Sequence, residues 1–252
     1  MVRRVALVLL AFFALSAQRD PVLVPEVSQH KIELQQGFTG TTLLLFGAVL
    51  GPDGVREDNP YDVIVVLRGP SQQIRLREKQ QIGGIWMNAD ALDFRSAPSY
   101  FAVAANRPIE DIVDDRTAAI FEFGTDFIQL SPSGMIDPEE QARFRDGLVD
   151  LRQRQGLYKQ NFNGVTLREG VLYQARISLP SNVQVGTYTA ETFAVSDGRV
   201  VASAIAEVEV EKVGFERFVE AAAQYWSLFY GLIAISLSVG MGWVAGRLFA
   251  MI

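Results

Sequence analysis

The chain has 252 residues, one histidine, no cysteine and a formal net charge of −6. This length suits one large domain or two small ones, and the lack of cysteine excludes disulfide bonds and thiolate chemistry. All 29 acidic residues but only 20 of the 23 basic ones lie between two apolar ends, because Arg3, Arg4 and Arg247 fall outside. This central part therefore carries a charge of about −9, which suits neither nucleic acid as a partner nor a domain that lies flat on anionic lipid.

The first 17 residues have the pattern of a secretory signal peptide. A basic start precedes an apolar run from Val5 to Leu15, and Ser16 and Ala17 provide small residues for cleavage. We predict a signal peptide over residues 1–17. The alternative is an uncleaved anchor, although a run this short spans a bilayer poorly.

Residues 18–213 predict an exported, mainly β domain, and an exported domain without cysteine indicates a bacterial periplasm. YDVIVVLRGP (61–70) is apolar on both faces, as a central strand is, and QQIRLREKQ (72–80) alternates between apolar and polar residues. We predict a loop over ADALDFRSAP (89–98), followed by a strand over SYFAVAA (99–105).

The string IGGIWMN (82–88) lies among these strands. Two adjacent glycines inside a strand usually mark a bulge or a close backbone approach, so we predict one of these at Gly83 and Gly84, and a bulge would change which side chains face inward. We expect Trp86 to point into the core. In the alternative interpretation Trp86 is exposed and serves as a candidate interface anchor.

A helical insertion is predicted over about residues 107–160. Asn106 is expected to cap a first helix that Pro108 helps to start, and Asp137 a second helix that ends at Gly156. The apolar residues of the second helix recur at helical spacing: Phe144, Leu148 and Leu151.

Strands return after Gly170. VLYQARISL (171–179) alternates, and Ser196-Asp197-Gly198 joins two further strands, where Asp-Gly favours a two-residue hairpin turn. Short strands at this spacing predict an antiparallel immunoglobulin-like sandwich that carries the helical insertion and is followed by a single transmembrane helix.

The C-terminal region predicts a membrane anchor. An amphipathic juxtamembrane helix is expected over residues 214–224, a transmembrane helix over 225–246 and a cytoplasmic tail over 247–252. The 22 residues of the span carry no charge, aromatic residues stand at both ends, and Arg247 follows. We predict a single-pass protein of a bacterial inner membrane with its N-terminal domain in the periplasm.

Small residues recur every fourth position in this span: Ala234, Ser238, Gly242 and Gly246. Such a stripe lets a second helix approach closely. The expected partners are the lipid bilayer and either a membrane protein or a second copy of the chain. Glycine is common in spans, however, so the same spacing also occurs without a helix partner.

Four motifs precede the span in a fixed order: GFTGTTLLLFG (37–47), YDVIVVLRGP (61–70), IGGIWMN (82–88) and PSYFAVAANRP (98–108). With these motifs the chain resembles an alphaproteobacterial family of predicted transmembrane proteins of unknown function, over nearly the whole mature chain. The resemblance implies an exported domain with one C-terminal span and an accessory subunit of a sulfite-exporter-type permease. It transfers no catalytic residue.

Motifs for chemistry are sparse, and we predict no catalytic, cofactor-binding or metal-binding residue. The single histidine, His30, has no HExxH or cysteine context, the acidic loop 53–58 lacks the alternation of a calcium loop, and neither GxSxG nor GxxxxGK[ST] occurs. A local basic patch forms a candidate site for an anion or an acidic partner: Arg68, Arg75, Arg77 and Lys79. The same charges would also be ordinary on a solvated strand, where they oppose edge pairing.

The sequence therefore favours a membrane-anchored periplasmic interaction module, a non-catalytic accessory subunit of a membrane protein complex. The alternative is a periplasmic domain that binds or senses a small anion through the Arg68–Lys79 patch.

Overall fold

The computed structural model of the chain describes residues 21–51, 61–134, 136–214, 219 and 222–249. The predicted signal peptide, the acidic loop 53–58 and most of the predicted juxtamembrane helix lie outside these ranges. The chain divides into two compact units. Of the described residues, those up to 32 and from 39 to 210 form the larger unit, the β unit, and those from 33 to 38 and from 211 onward form the smaller one.

The described residues are mainly in strands, with one apolar helix at the C-terminal end. The strands are β1 (Val22–Val27), β2 (Lys31–Leu34), β3 (Gly40–Leu50), β4 (Asp62–Arg68), β5 (Ser71–Ile82), β6 (Ile85–Pro98), β7 (Phe101–Ala105), β8 (Ser131–Pro132), β9 (Tyr158–Asn161), β10 (Val165–Arg168), β11 (Leu172–Pro180), β12 (Gly186–Ser196) and β13 (Arg199–Lys212). The helices are α1 (Ile109–Ile112), α2 (Asp115–Phe121), α3 (Pro138–Arg154) and α4 (Ser227–Phe249), with a 3₁₀ turn at Thr125–Phe127.

Three sheets organise these strands. The first has the order β1-β3-β11-β10, the second β2-β13-β12-β4-β7-β9 and the third β5-β6-β8. In the second sheet β12–β4 and β4–β7 are antiparallel, whereas β7 and β9 run parallel. A parallel pair needs a long crossover connection, and helices α1, α2 and α3 lie within it. All three helices therefore lie in the region from about 107 to 160.

The core of the β unit centres on β4, where the residues from Val63 to Leu67 are fully buried. Its two edges pair with β12 and β7, which confirms the predicted central strand, and the burial of successive residues accounts for apolar side chains on both of its faces. The first and second sheets meet through a tyrosine, because the Tyr173 hydroxyl of β11 donates a hydrogen bond to Thr192 Oγ1 of β12 at 3.4 Å.

A second buried tyrosine fixes the start of β12. The Tyr188 hydroxyl donates to the carbonyl oxygen of Gln184, four residues upstream, at 2.9 Å. Burial raises the pKa of Tyr188 to about 12, so its hydroxyl remains a donor at neutral pH. At the other end of β12, Asp197 and Gly198 have φ values of 49° and 76°, which confirms the predicted two-residue turn into β13.

Helix α3 begins as predicted, because the Asp137 carboxylate accepts a hydrogen bond from the Glu139 amide at 2.8 Å. It ends at Arg154, shortly before Gly156. Phe144 and Leu148 are buried, but the prediction that Leu151 shares their buried face is wrong, since Leu151 is 39% exposed.

The prediction that Asn106 caps the first helix is also wrong. Pro108 occupies the N-cap position of α1. The Asn106 carboxamide is bound elsewhere: its oxygen accepts from the Val63 amide and its nitrogen donates to Asp62 Oδ1, each at 2.9 Å. Asn106 thus ties the start of the insertion to β4 and is not available to the helix.

In the smaller unit, helix α4 contains the one segment of the described chain that is long and apolar enough to cross a membrane, Ser227–Arg247. None of that segment is buried. Helical hydrogen bonding already starts before it, because the amide of Trp226 donates to the carbonyl oxygen of Ala222 at 3.0 Å. An uncovered apolar helix of this length fits a lipid environment.

Candidate interaction site

Strands β5 and β6 form one long hairpin inserted between the neighbouring strands β4 and β7. The Gly69 amide donates to the Tyr100 carbonyl oxygen at 2.8 Å and closes the base of the hairpin. The predicted loop over residues 89–98 is therefore wrong, because this stretch belongs to β6. Buried Leu92 and Phe94 alternate with exposed Ala91, Asp93 and Arg95. This alternation with a period of two is hard to recognise in the sequence, because most residues of the stretch are small or polar.

The two glycines form the turn of this hairpin, so the predicted bulge at Gly83 and Gly84 is wrong. Their φ values are 60° and 86°, and two consecutive positive φ values are typical of the type I′ turn between paired strands. Nothing lies within 4 Å of a Cβ built at either position. The glycines are needed for the backbone conformation and not for close packing.

A bulge does occur, but at Ala89 and not at the glycines. Glu78 pairs with Asp90 while Lys79 pairs with Asn88, which leaves Ala89 without a partner. An extra residue changes which face the following side chains occupy. Trp86 pairs with Gln81 and therefore lies on the exposed face of β5.

Trp86 is 66% exposed and Ile85 is 70% exposed. The expectation that Trp86 lies in the core is wrong, because the residues at this end of the hairpin are exposed on both of its faces. The Ala89 bulge decides only which of these two faces Trp86 occupies. Ile82 and Met87 are exposed as well, and no residue from 80 to 88 carries a charge. We call residues 80–88 the hairpin tip.

The base of the hairpin is supported by helix α3. Leu92, Phe94 and Ala97 of β6 form a buried cluster with Phe144 and Leu148 of α3.

The contacts between α3 and the hairpin end at an ion pair. Arg143 Nη2 lies 3.2 Å from Glu78 Oε2 and 3.7 Å from Asp90 Oδ2. Beyond these residues no side chain of the hairpin is buried. The four residue steps from Glu78 to Ile82 span about 14 Å, so the tip projects clearly beyond its support.

The structure separates Arg68 from the other members of the predicted basic patch. Its Nε lies 3.0 Å from Glu122 Oε2, its Nη1 lies 3.1 Å from Glu191 Oε2, and its side chain is 25% exposed. A cavity of about 430 Å³ lies beside it. Because two carboxylates already neutralise the guanidinium, this cavity is not suited to an anion.

Arg75, Arg77 and Lys79 do share the exposed face of β5. Arg75 lies 3.5 Å from Asp93, whereas neither Arg77 nor Lys79 pairs with a carboxylate in the described part of the chain. The two unmatched cations are the ones closest to the tip, on the same face as Trp86.

Two further apolar surfaces are open. On the outer face of the first sheet Val22, Val24, Phe46 and Leu172 are exposed, around a shallow groove of about 320 Å³. On α4 the predicted small-residue stripe is also uncovered, because nothing lies within 4 Å of a Cβ built at Gly242 or Gly246. The Ser238 hydroxyl donates to the Ala234 carbonyl oxygen at 2.9 Å, so it leaves no unsatisfied donor along the stripe.

Sequence reasoning found the apolar string of the tip but missed the hairpin that presents it. The signal was present, because two glycines between Ile82 and Ile85, with alternating residues on both sides, are typical of a two-residue hairpin turn. Among the described residues there is no group of three or more histidine, aspartate or glutamate side chains placed to hold a metal ion.

A family model described as "Putative transmembrane protein (Alph_Pro_TM)" matches residues 22–251. No curated protein and no solved structure matches the chain.

Proposed function

The chain belongs to this family of transmembrane proteins, and we propose that it is a membrane-anchored interaction module. In this proposal α4 holds the β unit at the inner membrane, on the periplasmic side. The module is a non-catalytic accessory subunit of a membrane protein complex, with a sulfite-exporter-type permease as the candidate complex.

The observation that carries this proposal is the exposed hairpin tip. An apolar cluster in water is unfavourable, so exposed apolar patches on soluble units usually mark interaction sites. Here the cluster is displayed on a supported hairpin, and its tryptophan belongs to the residue types that contribute most at interfaces. Sensing of a small anion is supported less well, because the charge of Arg68 is already matched.

We also propose that the β unit is an immunoglobulin-like sandwich. The order β1-β3-β11-β10 corresponds to the ABED sheet of that fold, and β13-β12-β4 corresponds to its GFC sheet, extended by β7. The hydrogen bond of Tyr188 near the start of β12 corresponds to the tyrosine corner. The chain has no cysteine, so Leu44→Cys with Arg176→Cys, at paired positions of β3 and β11, should give a single disulfide. Failure to cross-link would contradict this strand order.

Photo-crosslinking tests the interaction module. A benzophenone amino acid at position 86 in native membranes should give adducts, whereas the same group at Gln73, an exposed position near the base of the hairpin, should give few. Mass spectrometry then identifies each adduct as protein or lipid. If position 86 gives no more adduct than position 73, the tip does not engage a partner and the proposal fails.

Purification in mild detergent tests the accessory-subunit part. The full chain should co-purify with a membrane protein, and Gly242→Leu with Gly246→Leu should reduce that recovery if the α4 stripe contributes to the contact. Ala234 and Ser238 complete this stripe and should show the same effect when replaced by leucine. Recovery of the chain alone, without a second membrane protein, would contradict a role in a complex.

A further inference from the structure

We infer that the hairpin tip inserts into the lipid–water interface of an anionic membrane, with Arg77 and Lys79 contacting the phosphate headgroups. This inference rests on the proposed function in that it assigns a partner to the same tip.

The shape of the tip favours lipid. Ile82, Ile85, Trp86 and Met87 surround a two-residue turn at the narrow end of a hairpin, so the apolar surface is convex and projects about 14 Å beyond its support. A deformable layer accepts such a projection without a preformed pocket. Interfacial anchors bury apolar side chains only about 5–10 Å into the boundary between headgroups and acyl chains, which this projection can reach.

The backbone of the tip is also compatible with a partly apolar medium. The β5–β6 pairing continues to Ile82 and Ile85, so the amide and carbonyl groups that face the partner strand bond to one another. The groups that point outward from the two strands, and those of the turn at Gly83 and Gly84, remain accessible to headgroups and water at interface depth. Only backbone groups that reach the hydrocarbon must be satisfied internally.

The side chains of the tip suit the interface more than a protein core. Trp86 combines an apolar ring with an N–H donor, and such rings are enriched at the headgroup level. The polar residues of the tip, Gln80, Gln81 and Asn88, carry no charge and can bond to headgroups. No carboxylate within the tip would oppose insertion.

The charges behind the tip indicate an anionic surface. Arg77 and Lys79 lie on the face of Trp86, within reach of the same plane of headgroups. The nearby carboxylates Glu78 and Asp90 lie on the opposite face, where Arg143 binds both. The region next to the tip is therefore locally basic although the exported part of the chain is acidic. Near an anionic membrane each basic residue strengthens binding by about fivefold.

Tryptophan fluorescence tests the inference in the full chain. Trp226→Phe with Trp243→Phe leaves Trp86 as the only one of the chain's three tryptophans. This variant is reconstituted in vesicles of phosphatidylcholine alone or with one quarter phosphatidylglycerol, each with lipids brominated on the acyl chains. In the anionic vesicles Trp86 emission should be quenched, shifted to shorter wavelength and protected from acrylamide.

Removal of the two charges provides the matched comparison. Arg77→Gln with Lys79→Gln should lower the ratio of inserted to free tip by about 25-fold in anionic vesicles, and should have little effect in phosphatidylcholine. Arg75→Gln is the control, because Asp93 already pairs with that charge. High salt should weaken insertion in the same way as the double substitution.

The outcomes separate this inference from the proposed function. Unquenched, acrylamide-accessible Trp86 in both vesicle types overturns the lipid inference. If native-membrane crosslinking from position 86 then yields protein adducts, the tip binds a protein and the interaction module stands. If neither lipid nor protein is captured, both proposals fail.

Discussion

Leu148 of α3 is predicted to be the residue on which the hairpin depends most. It is fully buried against Leu92 and Phe94 of β6, so Leu148→Ala removes buried methyl groups and leaves a cavity where helix and hairpin meet. Leucine-to-alanine changes at such sites cost about 2–5 kcal/mol of unfolding free energy. We expect a loss near the middle of this range, about 3 kcal/mol.

Leu151→Ala on the same helix is the matched control. Because Leu151 is 39% exposed, it gains only part of the burial energy of a leucine, and the same substitution should cost about 1 kcal/mol. Both variants can be compared with the unmodified full chain in detergent micelles by urea unfolding followed by circular dichroism.

Hydrogen exchange locates the effect of the cavity. In Leu148→Ala, amide protection should fall first in residues 71–98, because the hairpin loses its support before the two main sheets open. In Leu151→Ala, protection of the hairpin should remain unchanged. Equal losses of stability in the two variants, or an unchanged hairpin in Leu148→Ala, would refute the view that α3 holds the hairpin through its buried face.

Three further predictions concern the β unit. Arg68→Leu leaves Glu122 and Glu191 without their cation and should cost about 2 kcal/mol of unfolding free energy. Arg75→Leu removes one partner of an exposed ion pair and should cost less than about 0.5 kcal/mol. Similar urea midpoints for the two variants would contradict this prediction. Tyr188→Phe removes one buried hydrogen bond, about 1 kcal/mol, and should lower Tm by about 3 °C; an unchanged Tm would mean that this bond adds nothing. Burial acts to raise the pKa of Asp62, but the hydrogen bonds from Arg107 and Asn106 and the charge of Arg107 together outweigh it and hold the pKa below its usual value. This contribution to stability is complete above the unfolded pKa, about 3.8, and disappears as pH falls through the lower folded pKa. Arg107→Gln should therefore destabilise at pH 7 but not at about pH 2; an equal loss at both would contradict the ion pair.

Much of the fold could be predicted from the sequence, because local signals decided it. The apolar run from Val63 to Leu67 requires burial on both faces, the Asp-Gly pair at residues 197–198 requires a tight turn, and Asp137 before Pro138 begins a helix. In each case the neighbouring residues alone determine the structure. The chain order of strands and helices followed from such signals.

The site could be predicted only in part, because its geometry depends on strand pairing. Trp86, Leu92 and Phe94 occupy even-numbered positions, so a regular strand would place all three on one face. The single unpaired residue Ala89 reverses the face of Trp86, and alanine carries no signal for a bulge. Likewise, the partners of Arg68 come from elements far along the chain, which no local pattern indicates.

The parallel pairing of β7 with β9 has a consequence for the order of folding. Tyr158 pairs with Phe101, so this edge of the second sheet closes a loop that contains the whole helical insertion. Closing a long loop costs entropy before its contacts can form. We expect β9 to join the sheet late in folding and, in the native protein, to open before the rest of that sheet. The insertion would then be released as one piece while the central strands stay paired.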